Sequence, residues 1–177
     1  MQSLIDEVMP TYDFHERHSR WIDAPPERVW QALATLSFTD LTLTRPLVAL
    51  RGLRPGRSHH TEPLFQRGPV TIYETDPPRY GIGGLVARPW QPRPAHLPIT
   101  TLAEFARFDE PGWTKCLTDF QLVPERCGVR LSTETRGYST DDRARRRFAA
   151  YWALIRLPSG LIRRDMLAAV DRRAKTA

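Results

Sequence analysis

Apolar residues along this chain keep two different periods, and the changes between them divide it. "DFHERHSRWI", residues 13–22, reads as a strand. It runs into "APPERVWQALATL", where Pro25 or Pro26 suits a first helical turn and Glu27 favours the helix dipole. Val29, Trp30 and Leu33 form one apolar face there. "FTDLTLTRPLVALRGL" predicts a second, less regular helix interrupted at Pro46. Residues 53–69 predict a loop with a short strand, "PLFQRG". Ahead of all this, "LIDEVM" at 4–9 is either a helical turn or two or a loose end. From residue 70 strands follow in quick succession. "VTIYETD" and "RYGIGGLVARPW" join through a turn at 76–79, and residues 91–99 form a loop. "TTLAEFARF" turns at 109–112 into "WTKCLTDFQLV", which turns at 124–127 into "GVRLSTETRGY". Turn signals this close together predict an antiparallel meander. The last 38 residues are helical again, with Ser139 or Thr140 as cap and Asp141 and Asp142 in the first turn.

Register follows from the turns. If Pro124 and Cys127 flank the last turn, Leu122 faces Val129, Phe120 faces Leu131, Thr118 faces Thr133 and Cys116 faces Thr135, all on one sheet face. Gln121, Asp119, Leu117 and Lys115 then face Arg130, Ser132, Glu134 and Arg136 on a mostly charged face, as in a sheet with one solvated side. The preceding hairpin pairs Phe108 with Trp113, Arg107 with Thr114, Phe105 with Cys116 and Ala103 with Thr118. The inner face therefore collects Ala103, Phe105, Cys116, Thr118, Phe120, Leu131 and Thr133. It is apolar at the turn end and small and hydroxylated further along. Small inward side chains leave room for a ligand cavity; the alternative is a filled core with satisfied threonine hydroxyls. Arg107 lies inward at the sheet end, where its guanidinium either meets a ligand carboxylate or phosphate or reaches out to solvent.

Phe148, Trp152 and Ile155 fall at i, i+4 and i+7, and Tyr151 widens that stripe. Ile162, Met166 and Ala169 continue one beyond Pro158-Ser159-Gly160, where the helix is expected to break and resume. The arginines of this segment, Arg163 among them, sit mostly elsewhere. One apolar stripe after an open curved sheet predicts a helix lying across the sheet's inner face as a lid. Trp152 is expected to turn toward Phe105, Cys116 and Thr118.

At 177 residues with 41% hydrophobic content, the chain suits one domain, 1–177, with a real core. No apolar run approaches a membrane span. The acidic start "MQSLIDEVMP" lacks a secretory pattern, so a cytoplasmic protein is expected. Cys116 and Cys127 have no facing register, which predicts reduced thiols. The net charge of +6 comes almost wholly from arginine, with Lys115 and Lys175 the only lysines. The arginines are scattered and not interleaved with aromatics, so codon preference in a GC-rich genome explains them and no nucleic-acid partner is expected.

The order of strand, "DAPPERVWQAL", meander and long C-terminal helix resembles the SRPBCC superfamily, also called START-like or helix-grip proteins. "GIGGLVARPW", "FARFDEPG" and "ETRGYSTDDRARRRFAAYWALIRLPSGLIRRDML" resemble an uncharacterised bacterial subgroup of it. The resemblance implies an α+β helix-grip fold: six or seven antiparallel strands curved around the C-terminal helix, with two short helices after the first strand. It also implies a largely apolar pocket between sheet and helix. Members bind lipids, sterols, polyketides, quinones or plant hormones, and some are cyclases or oxygenase subunits. The oxygenases' iron ligands have no recognisable counterpart here.

Other constellations add little chemistry. His59-His60 with Glu62 is the only dense ligand-like cluster, and adjacent strand histidines point apart, so no metal is expected. "GIGG" at 81–84 precedes no helix and reads as a bend or bulge curving the sheet. Asp119 with Glu134 invites an acid/base reading, but the pair is assigned to the solvated face. The leading expectation is a binder or carrier of a small apolar ligand, using Ala103, Phe105, Arg107, Cys116, Thr118, Phe120, Leu131, Thr133, Phe148, Trp152 and Ile155, with no cofactor. Two alternatives stay open: a polyketide cyclase or aromatase-like enzyme in the same cavity, and an interaction protein, a homodimer for example, with a filled core.

Overall fold

The computed structural model describes residues 3–44, 63–67 and 70–176. Its elements are α1 (Leu4–Val8), β1 (Phe14–Ile22), α2 (Pro26–Ala34), a 3₁₀ turn (Phe38–Asp40), α3 (Leu64–Arg67), β2 (Thr71–Asp76), β3 (Tyr80–Arg88), β4 (Ala95–Leu97), α4 (Leu102–Arg107), β5 (Thr114–Glu125), β6 (Gly128–Ser139) and α5 (Asp142–Thr176). Six strands form one antiparallel sheet in the order β1-β6-β5-β3-β2, with β4 paired to β3. The long α5 lies on the inner face, in contact with β1, β6, β5 and α2. This is the α+β helix-grip architecture expected from the sequence, with six strands. Among the described residues no helix is long and apolar enough to cross a membrane.

The β5–β6 hairpin differs from the expected register by two residues. Glu125 pairs with Gly128 around an Arg126-Cys127 turn, so Leu122 faces Leu131, Phe120 faces Thr133, Thr118 faces Thr135 and Cys116 faces Gly137. Gly128 explains the shift. A Cβ there would lie 2.4 Å from the Ile22 carbonyl oxygen, so the glycine is needed in the strand, where β1 comes close, and not in the turn. Arg126 takes the positive φ of 57° instead. Because side chains alternate with period two, a two-residue slip keeps every residue on its expected face.

The strand expected from "TTLAEFARF" is a helix, α4. Thr101 caps it, its Oγ1 accepting from the Glu104 amide at 3.1 Å, and Glu104 Oε2 accepts from the Thr100 amide at 3.2 Å. A Thr-x-x-Glu start of this kind marks a helix end. "PLFQRG" likewise holds the short helix α3, preceded by a bridge from Pro63 to Ser37, and the proline-rich 91–99 stretch contributes the short strand β4. The second helix expected after α2 begins as the 3₁₀ turn; its continuation, like the His59-His60-Glu62 cluster, lies outside the described residues.

α5 runs unbroken through Pro158 for 35 residues. The proline removes one amide donor from the middle but does not end the helix. Packing anchors both flanks: Phe148 and Ala144 are buried on one side, Met166, Leu167, Ala169 and Val170 on the other. Gly160 sits over β1, where an added Cβ would lie 2.7 Å from Glu16 Oε1. Asp141, not Ser139 or Thr140, caps α5, its carboxylate accepting the Ala144 amide at 2.7 Å. Thr140 instead exchanges hydrogen bonds with the Trp113 backbone.

Each sheet face carries a hydrophobic cluster. The inner cluster joins α2, α5 and strand residues such as Ile22, Phe120, Leu122, Val129 and Leu131. The outer cluster joins Ile5 and Met9 near the N-terminus with Ile82, Val86, Leu117 and Phe105. Away from the turn, the face assigned to solvent is therefore buried under α1 and α4, whereas Arg130 near the turn is exposed, as expected, and paired with Glu125. The buried charges are all partnered. Arg136, 7% exposed, binds Asp6, Glu134 Oε1 (2.6 Å) and the carbonyls of Ile5 and Met9, which fastens α1. Lys115 donates to the Ala106 carbonyl at 2.9 Å and fastens α4. Asp119 accepts from the Glu134 amide and from Gln121 Nε2.

Candidate functional site

Where β3 pairs with β5, β3 presents no side chain to the inner face at two successive inward positions. Gly83 stands opposite Thr118 and Gly81 opposite Phe120. β2 bulges beside them, its pairing shifting between Ile72 and Glu74. Two glycines facing Thr118 and Phe120, beside a bulge, leave a hollow that α2 roofs from one side and α5 from the other. The result is a cavity of about 200 Å³ lined by Trp30, Leu33, Ala34, Phe65, Val70, Ile72, Thr75, Gly81, Ile82, Gly83, Thr118, Phe120 and Arg163. The glycines cannot easily be filled. A Cβ on Gly83 would sit 2.7 Å from the Thr71 carbonyl oxygen, and one on Gly81 would sit 3.2 Å from the Trp30 ring. The "GIGG" stretch thus accompanies the expected bulge and also empties the space above it.

The lining is hydrocarbon and aromatic except for Thr75, Thr118 and Arg163. Arg163 Nη2 donates to Thr118 Oγ1 at 3.3 Å, and Thr118 Oγ1 lies 3.0 Å from Thr135 Oγ1. Burial pulls Arg163 below its usual basicity, while the charge of Glu16 favours the guanidinium. Glu16 is itself held by His18 Nε2 at 2.7 Å. Nearby Cys116, pointing to the same face, has its thiol pushed up to about 12 by burial, so it is not a thiolate nucleophile at neutral pH. Cys116 and Cys127 are free thiols at opposite ends of the hairpin. Among the described residues no group of three His, Cys, Asp or Glu side chains is placed to hold a metal.

Of the expected site residues, Thr118 and Phe120 line the cavity. Leu131 and Thr133 are buried on the same sheet face, with the Thr133 hydroxyl unpartnered among the described residues. Phe148 and Trp152 gather further along α5, stacked with ring centres 6.1 Å apart and packed on Phe14. Trp152 therefore faces the start of β1 and not Phe105, Cys116 and Thr118. Ile155 is half-buried. Folding of 102–107 as a helix redirects three residues: Ala103 and Arg107 are exposed, with Arg107 Nε on the Ala103 carbonyl, and Phe105 is fully buried in the outer cluster against Tyr73. The guanidinium expected in the cavity from Arg107 comes from Arg163. Arg163, itself half-buried, precedes Met166 by three residues and Val170 by seven, so it lies in line with the buried stripe, and that spacing was readable in the sequence.

Elsewhere, a more polar depression of about 300 Å³ at the start of α5 is lined by Arg88, Trp90, Arg143 and Arg147 together with Asp141.

No protein-family model matches the chain, and no curated protein matches it. Solved structures do match. Protein MLL2253 from Mesorhizobium loti is 16% identical over 90% of this chain and 98% of its own, with a TM-score of 0.42. Protein CV1439 from Chromobacterium violaceum is 18% identical over 89% and 96%, with a TM-score of 0.38. The di-domain ARO/CYC BexL is 15% identical over 91% of this chain but only 50% of its own, with a TM-score of 0.36.

Proposed function

We propose that the protein is a single-domain member of the SRPBCC superfamily that binds a small, mainly apolar molecule in the cavity between α2, α5 and strands β2, β3 and β5. One observation carries this reading: the sheet's inner face is emptied at Gly81 and Gly83 and walled by Trp30, Leu33, Phe65 and Phe120. Void in a core is destabilising, so hydrocarbon walls around it are most economically explained by a ligand that fills it. At about 200 Å³, below the roughly 300–1,000 Å³ of drug-sized sites, the cavity suits a small ligand. A cyclase or aromatase-like reaction needs a group that moves protons. The one ionisable side chain lining the cavity among the described residues is Arg163, which stays protonated, so binding is the better supported function. Native mass spectrometry of the protein purified from its host tests this. A retained small apolar mass, released on unfolding, is expected. Protein free of any such mass, whose melting temperature no aliphatic or aromatic compound raises, would overturn the proposal.

A further inference from the structure

Arg163 is the cavity's one charge among the described residues, and it is under-used. A guanidinium has five N–H donors. The hydrogen bond to Thr118 Oγ1, at 3.3 Å, employs one. No carboxylate of the described residues forms an ion pair with it; Glu16, the nearest in effect, is engaged by His18. Thr118 is tied in turn to Thr135, so the arginine's immediate protein partner is neutral. A half-buried cation with no ion pair of its own, favoured only by the more distant charge of Glu16, is a cost to the empty protein. Hydrocarbon in that position would cost less, as Met166 and Ala169 on the same stripe illustrate.

Resting on the binding function proposed above, we infer that the ligand is a carboxylic acid, its carboxylate paired with the Arg163 fork and its hydrocarbon lying against Trp30, Phe65 and Phe120. One guanidinium in an otherwise uncharged wall balances one negative charge. A phosphate, with up to two, would leave a charge uncompensated, whereas a carboxylate matches the fork in both charge and planar geometry.

Octanoate and octanol share a chain and differ only in the group that would meet Arg163. Binding of each at neutral pH, by calorimetry and by the rise in melting temperature, tests the inference. Octanoate is expected to bind wild type at least about tenfold more tightly than octanol. In Arg163→Met this preference should vanish while octanol still binds, and the ligand-free variant should melt no lower than wild type, because a charge without an ion pair has gone. Equal binding of the two compounds to wild type would overturn the carboxylate assignment and leave the apolar site intact. Failure of both to bind would count against the site itself. A preference that survives in Arg163→Met, with a lowered melting temperature, would make Arg163 structural and overturn the inference. If the methionine variant does not fold, Arg163→Lys keeps the charge without the fork. Its preference should fall at least about threefold, and an undiminished one would overturn the assignment.

Discussion

Asp119 illustrates what burial does to a single residue. Its place in an alternating strand was readable, but not the helices that cover that face. Burial pushes its carboxyl up to about 6, against the hydrogen bonds from Gln121 and the Glu134 amide, which favour the charge. Between the unfolded value near 4 and about 6, the folded protein binds a proton that the unfolded chain releases. This group's contribution to stability is therefore present below about pH 4 and lost as pH rises through about 6. Asp119→Asn should remove that loss. Relative to wild type, the variant should gain up to about 3 kcal/mol between pH 4 and pH 7 in urea unfolding. A wild-type-minus-variant difference that stays constant with pH would show that burial does not raise the Asp119 carboxyl in the fold.

For whole elements, local signals were right where packing agreed with them and wrong where packing overrode them. Pro158 reads as a helix breaker, yet α5 passes through it because Phe148 on one side and Met166, Leu167 and Val170 on the other hold both halves on the sheet. The missing amide donor still costs something. Pro158→Ala should stabilise the protein by about 1–3 kcal/mol in denaturant unfolding; a destabilised variant would mean that the proline has a packing role. Gly83→Ala should do the opposite. Its Cβ would press on the Thr71 carbonyl at 2.7 Å, so β2 must move, with an expected loss of about 1–3 kcal/mol in the same assay. In "TTLAEFARF" the Thr101-to-Glu104 capping signature competed with a plausible hairpin turn, and the capping signature prevailed in the structure.

Over the whole molecule, the sheet separates two hydrophobic clusters, and this separation makes stability and binding independently testable. Phe105 is fully buried in the outer cluster; Phe105→Ala should cost about 3–5 kcal/mol and leave binding of an apolar ligand unchanged once the protein is folded. Trp30 is half-buried at the cavity wall. Trp30→Ala should weaken that binding while costing less stability, because its site already borders a void. Thermal melts with and without ligand separate the two. Equal ligand-induced shifts in wild type and Trp30→Ala would remove Trp30 from the site.

By itself the sequence determined the opening strand and helix, the β2–β3 and β5–β6 hairpins, the inward parity of Cys116, Thr118 and Phe120, and the long closing helix. These depend on period, turn residues and capping, which act over a few neighbours. The tertiary structure alone decided that α1 and α4 cover much of the outer face, that Phe105 belongs there, and that Arg107 stays out of the cavity. Which residues cover a sheet face, and where the two β3 glycines meet β5 to leave a hollow, depends on elements distant in the chain arriving at one place, and no local pattern records that meeting.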